Sequence, residues 1–164
     1  MKIKLTQNQV TVVDDIDYEY LSQLKWFATK AGLGSSKFYA ARWSRANGRR
    51  KLIYIHNLVA ERMGLDLSCD IDNIDRNSLN NLRNNLRSAT KREQAQNRSK
   101  RNDNTSGIPG VNWNKRDKKW YVRVNINGKE KHLGCFSDKL EAEKIRIEAS
   151  LEYYKEFSPF YKEI

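Results

Sequence analysis

The 164-residue chain has two cysteines, two prolines and two histidines, and it contains no long apolar run. With no stretch near the roughly 18 apolar residues that a membrane helix needs, an α-helical span is excluded. The opening MKIKLTQNQV lacks the apolar core of a signal peptide, so a soluble, cytoplasmic protein is expected. Cys69 and Cys135 stand far apart and form no Cys-x-x-Cys. That spacing argues against a zinc module and fits two free thiols in a reducing compartment. Hydrophobic residues make up 38% of the chain and charged residues 31%. Apolar material is enough for modest cores without surplus, in one domain or two small ones.

Positive charge is what the chain has in excess. Thirty-one Lys+Arg oppose 20 Asp+Glu, for a net charge of +11. Between Arg83 and Lys131 stand 14 Lys/Arg and four acids (Glu93, Asp103, Asp117, Glu130), so this stretch holds +10 of the total. A basic stripe of that density suits neutralisation of phosphates, although a solvated basic surface without a partner has the same composition.

Period-two stretches open the chain. Lys2–Leu5 and Gln9–Val13, separated by Gln7-Asn8, predict a hairpin. Residues 17–24 (DYEYLSQL) have the composition of a short helix. Residues 26–29, 38–43 and 51–55 read as strands, and 56–64 (HNLVAERMG) as a helix closed by Gly64. Farther on, 111–114, 119–125 and 131–134 predict three strands, with Arg116-Asp117-Lys118 and Asn127-Gly128 as turns. Ser137 is placed to cap a last helix carrying Ala142, Ile145, Ala149 and Tyr153 at helical spacing. The fold class is α+β. Its expected parts are a β-rich first domain over 1–98, a basic linker over 99–107, and a three-strand-plus-helix domain over 108–164.

The segment CDIDNIDRNSLNNLRNNLRSATKREQAQN (69–97) carries the chemistry. Ser68–Ile71 and Leu86–Ala89 read as short strands, and Thr90-Lys91-Arg92-Glu93 is a capping box that starts a helix running to about Asn97. Two strands, a long polar connection and a helix can bring Asp72 near the helix's first turns. A carboxylate facing a side-chain oxygen there makes a hard-cation site. The asparagines also fit a loop satisfied by its own side chains.

This segment resembles the ββα-metal motif of the HNH endonucleases carried by phages and mobile introns. The matching residues are Asp72-Asn73-Ile74-Asp75-Arg76-Asn77, Asn85-Leu86-Arg87-Ser88-Ala89-Thr90 and Glu93-Gln94, and upstream Ile55-His56-Asn57-Leu58-Val59 is similar to the family's His-containing helix. The resemblance spans roughly residues 1–100. It implies Asp72 and Gln94 as ligands of one divalent ion, Mg2+ or Mn2+, and Asn85 as the group orienting a general base. That base should be a histidine at position 73, where this chain has Asn73. Asparagine has no titratable nitrogen, and loss of a general base costs about 10²–10⁴-fold in rate. The chain is therefore expected to cut slowly or not at all, either as a naturally degenerate nuclease or through an introduced histidine-to-asparagine change; the intact surroundings favour the second. His56 is the one histidine of residues 1–98, with a structural role at least as fitting as a catalytic or DNA-contacting one. Arg76, Arg87 and Arg92 are expected at DNA.

Residues 105–158 resemble the Apetala-type (ethylene-response-factor-like) DNA-binding domain, through Thr105-Ser106-Gly107-Ile108-Pro109-Gly110-Val111, Trp113, Lys119-Trp120, Asn127-Gly128-Lys129 and Leu133-Gly134-Cys135-Phe136. The resemblance implies a sheet laid in the major groove of double-stranded DNA. Outward candidates are Asn112, Asn114, Arg116, Lys118, Arg123, Asn125, Lys129 and Lys131. Arg123 and Asn125 share one strand face, where they suit G and A edges. Trp113 and Trp120 could touch DNA, with Trp120 better suited to packing the sheet on the helix. In the linker, Arg98, Lys100 and Arg101 suit phosphates, although a spacer that binds nothing has the same composition. The expected protein is a monomeric, phage- or mobile-element-encoded, site-specific DNA endonuclease acting in a bacterial host, without membrane or obligate protein partner. The alternatives are a non-catalytic DNA-binding protein on a decayed nuclease fold and an RNA-binding protein.

Overall fold

Gln7 and Asn8 both adopt left-handed backbone (φ 58° and 54°), which closes the first hairpin. It joins β1 (Lys2–Lys4) to β2 (Val10–Val12), with Ile3 opposite Thr11. Alternation holds: Lys2 and Lys4 are exposed while Ile3 is buried. A computed structural model describes residues 1–46, 48–97 and 104–161 of the chain. They form two compact units, Met1–Arg92 and Glu93–Ile164. The architecture is α+β, with several small antiparallel sheets and few helices.

In the first unit, α1 spans Asp15–Ser22, starting earlier than the expected 17–24. Asp14 is extended and serves as the N-cap residue, and acids at Asp15 and Asp17 suit the positive end of the helix dipole. β3 (Phe27–Lys30), β4 (Phe38–Ala46) and β5 (Arg49–Tyr54) make an antiparallel sheet in that order. α2 (Ile55–Met63) follows without a break and ends at Gly64, whose φ of 74° lets its N–H reach back to the helix carbonyls. Ile3, Val13, Leu21, Trp26, Ala40, Ile55, Val59 and Leu86 close into one core drawn from most of these elements. Burying a side chain such as Leu21 or Ile55 contributes about 1.5–3 kcal/mol.

β6 (Asp70–Asn73) and β7 (Leu86–Ala89) then pair antiparallel, with Asp72 opposite Arg87 and Asn73 opposite Leu86. α3 (Lys91–Gln96) follows Thr90 directly, and the boundary between the two units falls within it, at Arg92/Glu93. The first unit thus ends earlier than the expected 98. Of the expected linker, residues 99–103 lie outside the described residues, as does Arg98 before them.

Asn104–Gly107 are not linker but part of the second unit. The buried Ser106 hydroxyl donates to the Val111 carbonyl at 2.7 Å, and the Asn104 amide donates to Ile108 at 3.1 Å. β8 (Val111–Asn114), β9 (Lys119–Ile126) and β10 (Lys129–Phe136) form an antiparallel sheet with β9 central. Left-handed Asn127 (φ 56°) and Gly128 (φ 79°) make the β9–β10 turn. α4 (Lys139–Tyr154) covers one face of the sheet around Val111, Val122 and Ala142, and Trp120, Phe136 and Ile145 pack onto this core. The cap is Asp138 rather than Ser137: its carboxylate accepts from the Leu140 and Glu141 N–H groups at 3.3 and 3.1 Å. The buried tyrosine is Tyr154 rather than Tyr153, because its hydroxyl exchanges hydrogen bonds with the Asn125 backbone.

Candidate functional site

The Asp72 carboxylate accepts from Arg87 Nε at 3.2 Å and Nη2 at 2.9 Å, a pairing that follows from their cross-strand register. Both side chains are mostly buried. Arg87 therefore neutralises Asp72, the carboxylate expected to hold a metal. Asn73, the next residue, is buried and donates from Nδ2 to the Asn80 carbonyl at 2.8 Å. Asn85 donates to that same carbonyl at 2.8 Å. Asn85 and Asn73 thus meet through a shared acceptor, the Asn80 carbonyl.

The connection between β6 and β7 is organised around Asp75. Its Oδ1 accepts from Asn85 Nδ2 (2.8 Å) and from the Asn77 N–H (2.9 Å), and its Oδ2 accepts from Asn80 Nδ2 (2.6 Å). Asn85 Oδ1 accepts in turn from the Asp75 N–H at 3.0 Å. Arg76 takes φ 67°, and its N–H returns to the Asn73 carbonyl. The loop is pinned to the core from three sides. Asn81 Nδ2 donates to the buried Thr11 hydroxyl at 2.7 Å, the Ser78 hydroxyl to the Phe38 carbonyl at 2.6 Å, and the Arg83 N–H to Asp14 at 2.6 Å. The fully buried Asp17 holds both Arg83 and Arg62 at 2.7 Å. Hydrogen bonds from Arg83 above all keep its carboxyl below the usual aspartate range. These asparagines fix the loop's shape, and in doing so they fix where Asp72 and Asn73 stand.

His56 lies at the start of α2, stacked on Tyr54 (ring centroids 5.3 Å, 11° between planes) and tilted against Tyr39 at 5.7 Å. It is buried, and its Nδ1 has no hydrogen-bond partner among the described residues. Burial pushes its pKa down to about 4, so it is neutral at pH 7 and a weak base. Tyr39 connects this aromatic group to the β6 end: burial, with the charges of Tyr54 and Asp72, raises its phenol above the ordinary value. Neither Tyr39 nor Tyr54 was a sequence candidate, and only the pairing of β4 with β5 makes them neighbours.

Gln94 is half-buried on α3, beyond the Arg92/Glu93 boundary, while Asp72 belongs to the first unit. Arg92 is exposed; Arg98, Lys100 and Arg101 lie outside the described residues. Among the described residues, no three His, Cys, Asp or Glu side chains gather as a metal-binding group.

In the second unit, the sheet face away from α4 carries Asn112, Tyr121, Arg123, Asn125, Glu130 and His132, as the register requires. Arg123 pairs with Glu130 at 2.9 Å. Asn125 Oδ1 accepts from the Gly128 N–H, and Asn114 Oδ1 from the Arg116 N–H, so both amides shape turns. The Tyr121 hydroxyl donates to Asp117, which raises its pKa. Lys129 and Lys131 are exposed but project toward the α4 side, opposite Ile126 and Val124, and Lys131 reaches the Tyr153 hydroxyl at 3.2 Å. Trp120 packs on the core, and Trp113 sits beside it on the helix side, 40% exposed. Arg116 and Lys118 are exposed near the β8–β9 turn. Strand alternation alone could have found Tyr121, which shares its face with Arg123.

No family model matches the chain, and no solved structure matches it. Among curated proteins, it is similar to Protein 3.8 of Escherichia phage T7, 40% identical over 60 residues. The match covers 37% of this chain and spans half the length of that phage protein. Among the described residues, no helix is long and apolar enough to cross a membrane.

Proposed function

We propose that this chain is an HNH-type, site-specific DNA endonuclease scaffold, phage- or mobile-element-encoded, in which Asn73 stands at the general-base position. The observation that carries the reading is the order β6, Asn-rich loop, β7, α3, with Asp72 and Asn73 adjacent on β6 and Asn85 fixed two bonds away through Asn80. Asp72 offers a carboxylate oxygen, the donor that Mg2+ or Mn2+ takes with water completing its shell. When bound, such an ion supplies charge stabilisation at the leaving oxygen of a phosphodiester. The chain's own part is to hold Asp72, exclude solvent with Tyr39 and Tyr54, and place residue 73 beside the reacting phosphate. Arg87 would exchange Asp72 for the phosphate or the ion's waters. The basic stripe and the second unit supply attachment to double-stranded DNA, and the phage relative fits the proposed origin and a host-cell setting.

A second reading, a DNA-binding protein that cuts nothing, is favoured by two details: Asp72 is neutralised by Arg87, and Asn73 spends its amide on a backbone carbonyl. Converting Asn73→His and incubating the protein with supercoiled plasmid and Mg2+ or Mn2+ separates the two. Metal-dependent nicking supports the nuclease; intact plasmid together with tight duplex binding supports the second reading.

A further inference from the structure

Between Tyr20 and Ala60 the sequence contains eight Lys/Arg and no acid, a concentration that the whole-chain balance conceals. Five of these cations lie on the β4–β5 ribbon: Arg42, Arg45, Arg49, Arg50 and Lys51. The register places them on both faces. Arg45 lies opposite Arg50 and shares a face with Trp43, while Arg42, Lys51 and Arg49 belong to the other. None of the five forms an ion pair among the described residues, and Arg45, Arg49, Arg50 and Lys51 are exposed.

The first of these faces is aromatic as well as basic. Trp43 is 51% exposed, with the Arg50 guanidinium 4.8 Å from its ring and Phe27 at 6.4 Å. Along the same face, alternation leads from Arg45 and Trp43 through Ala41 to Tyr39, next to Phe38, whose carbonyl accepts from the Ser78 hydroxyl of the β6–β7 loop at 2.6 Å. The strand that carries the ribbon's cations thus begins against the loop that follows β6. At its base the ribbon is anchored, with Ala40 in the core.

We propose that the β4–β5 ribbon is a second DNA-binding element: it enters the major groove of duplex DNA beside the Asp72 centre. A two-stranded ribbon fits that groove, whose two walls are phosphate-lined, and cations on both ribbon faces meet both walls. An acid-free ribbon bearing a half-exposed tryptophan selects a polyanion over a protein surface. The inference deepens the nuclease reading and rests on it for the choice of DNA.

The test uses the full chain and a fluorescein-labelled 30-base-pair DNA duplex, with affinity measured by anisotropy from 50 to 200 mM KCl. Replacing Arg45, Arg49, Arg50 and Lys51 by Gln keeps their stems and removes four charges. The slope of log affinity against log salt should flatten by about 2 to 4, at roughly 0.9 per lost phosphate contact. Replacing only the three arginines by Lys should preserve the slope, and thermal unfolding followed by circular dichroism checks that each variant is folded. If the Gln variant does not fold, Arg45→Gln/Arg50→Gln takes its place, with a flattening of about 1 to 2 expected. Unchanged affinity and slope in a folded Gln variant would overturn the ribbon's role while leaving DNA binding and Asn73→His nicking intact. A parent chain that binds no DNA duplex overturns both readings, and stronger competition by duplex RNA than by duplex DNA overturns the choice of nucleic acid.

Discussion

Acidification should weaken the first unit through His56. The unfolded imidazole titrates near 6.5, whereas the buried ring holds its proton only below about 4. Between those values the unfolded chain binds a proton that the folded chain does not. Stability is therefore fully present above pH 6.5 and declines as pH falls toward 4. At about 1.36 kcal/mol per pH unit, the loss between pH 7 and pH 4.5 is about 2.5 kcal/mol. His56→Phe retains a ring against Tyr54 and Tyr39 and removes the titration. Urea unfolding of both proteins at pH 7 and pH 4.5 measures the difference. The variant should lose about 2.5 kcal/mol less than the parent over that interval. Equal losses in the two proteins would refute the buried, neutral imidazole.

Other expectations follow from single residues. Asp17→Asn takes the buried carboxylate from two partly exposed arginines and should cost about 1.5–3 kcal/mol in urea unfolding at pH 7. Because the folded carboxyl titrates below 3.8, its stabilisation is complete above that pH and is lost as pH falls through the folded value, so the variant should lack this acid-limb dependence. Gly110 has φ 86°, and a Cβ there would lie 2.5 Å from both the Arg123 carbonyl and Arg146 Nε. Gly110→Ala should therefore destabilise the second unit by about 2 kcal/mol or more, read from thermal unfolding. Arg146 is buried, its Nε and Nη1 lack acceptors among the described residues, and burial lowers its pKa. Arg146→Met should be neutral or raise the melting temperature, since a similar volume is kept without a buried charge.

Local chemistry made much of the fold legible. Left-handed turn residues at Gln7-Asn8 and Asn127-Gly128 announce their hairpins, and Gly64 announces the end of α2. What depended on register was not legible. The projection of Lys129 and Lys131 toward α4 follows from their pairing with Ile126 and Val124, and helical spacing near Tyr153 and Tyr154 tolerates either as the inward residue. Motif spacing singled out Asp72, Asn73 and Asn85, but it could not reveal that Asp75 and Asn80 organise the loop or that Arg87 covers Asp72. Those bonds depend on which strands pair and on how β2 holds the loop. Summing charge over long stretches likewise hid the β4–β5 ribbon, because acids elsewhere in the first unit cancel its cations.

The central proposal is a nuclease scaffold in which Asn73 stands at the general-base position. The most direct measurement compares nicking rates of supercoiled plasmid for the Asn73 chain, Asn73→His, and Asn73→His combined with Asp72→Ala, each with Mg2+ or Mn2+. The account predicts that Asn73→His nicks about 10²–10⁴-fold faster than the Asn73 chain and that Asp72→Ala abolishes the gain. A folded, DNA-binding Asn73→His protein that leaves the plasmid intact with either metal would contradict it.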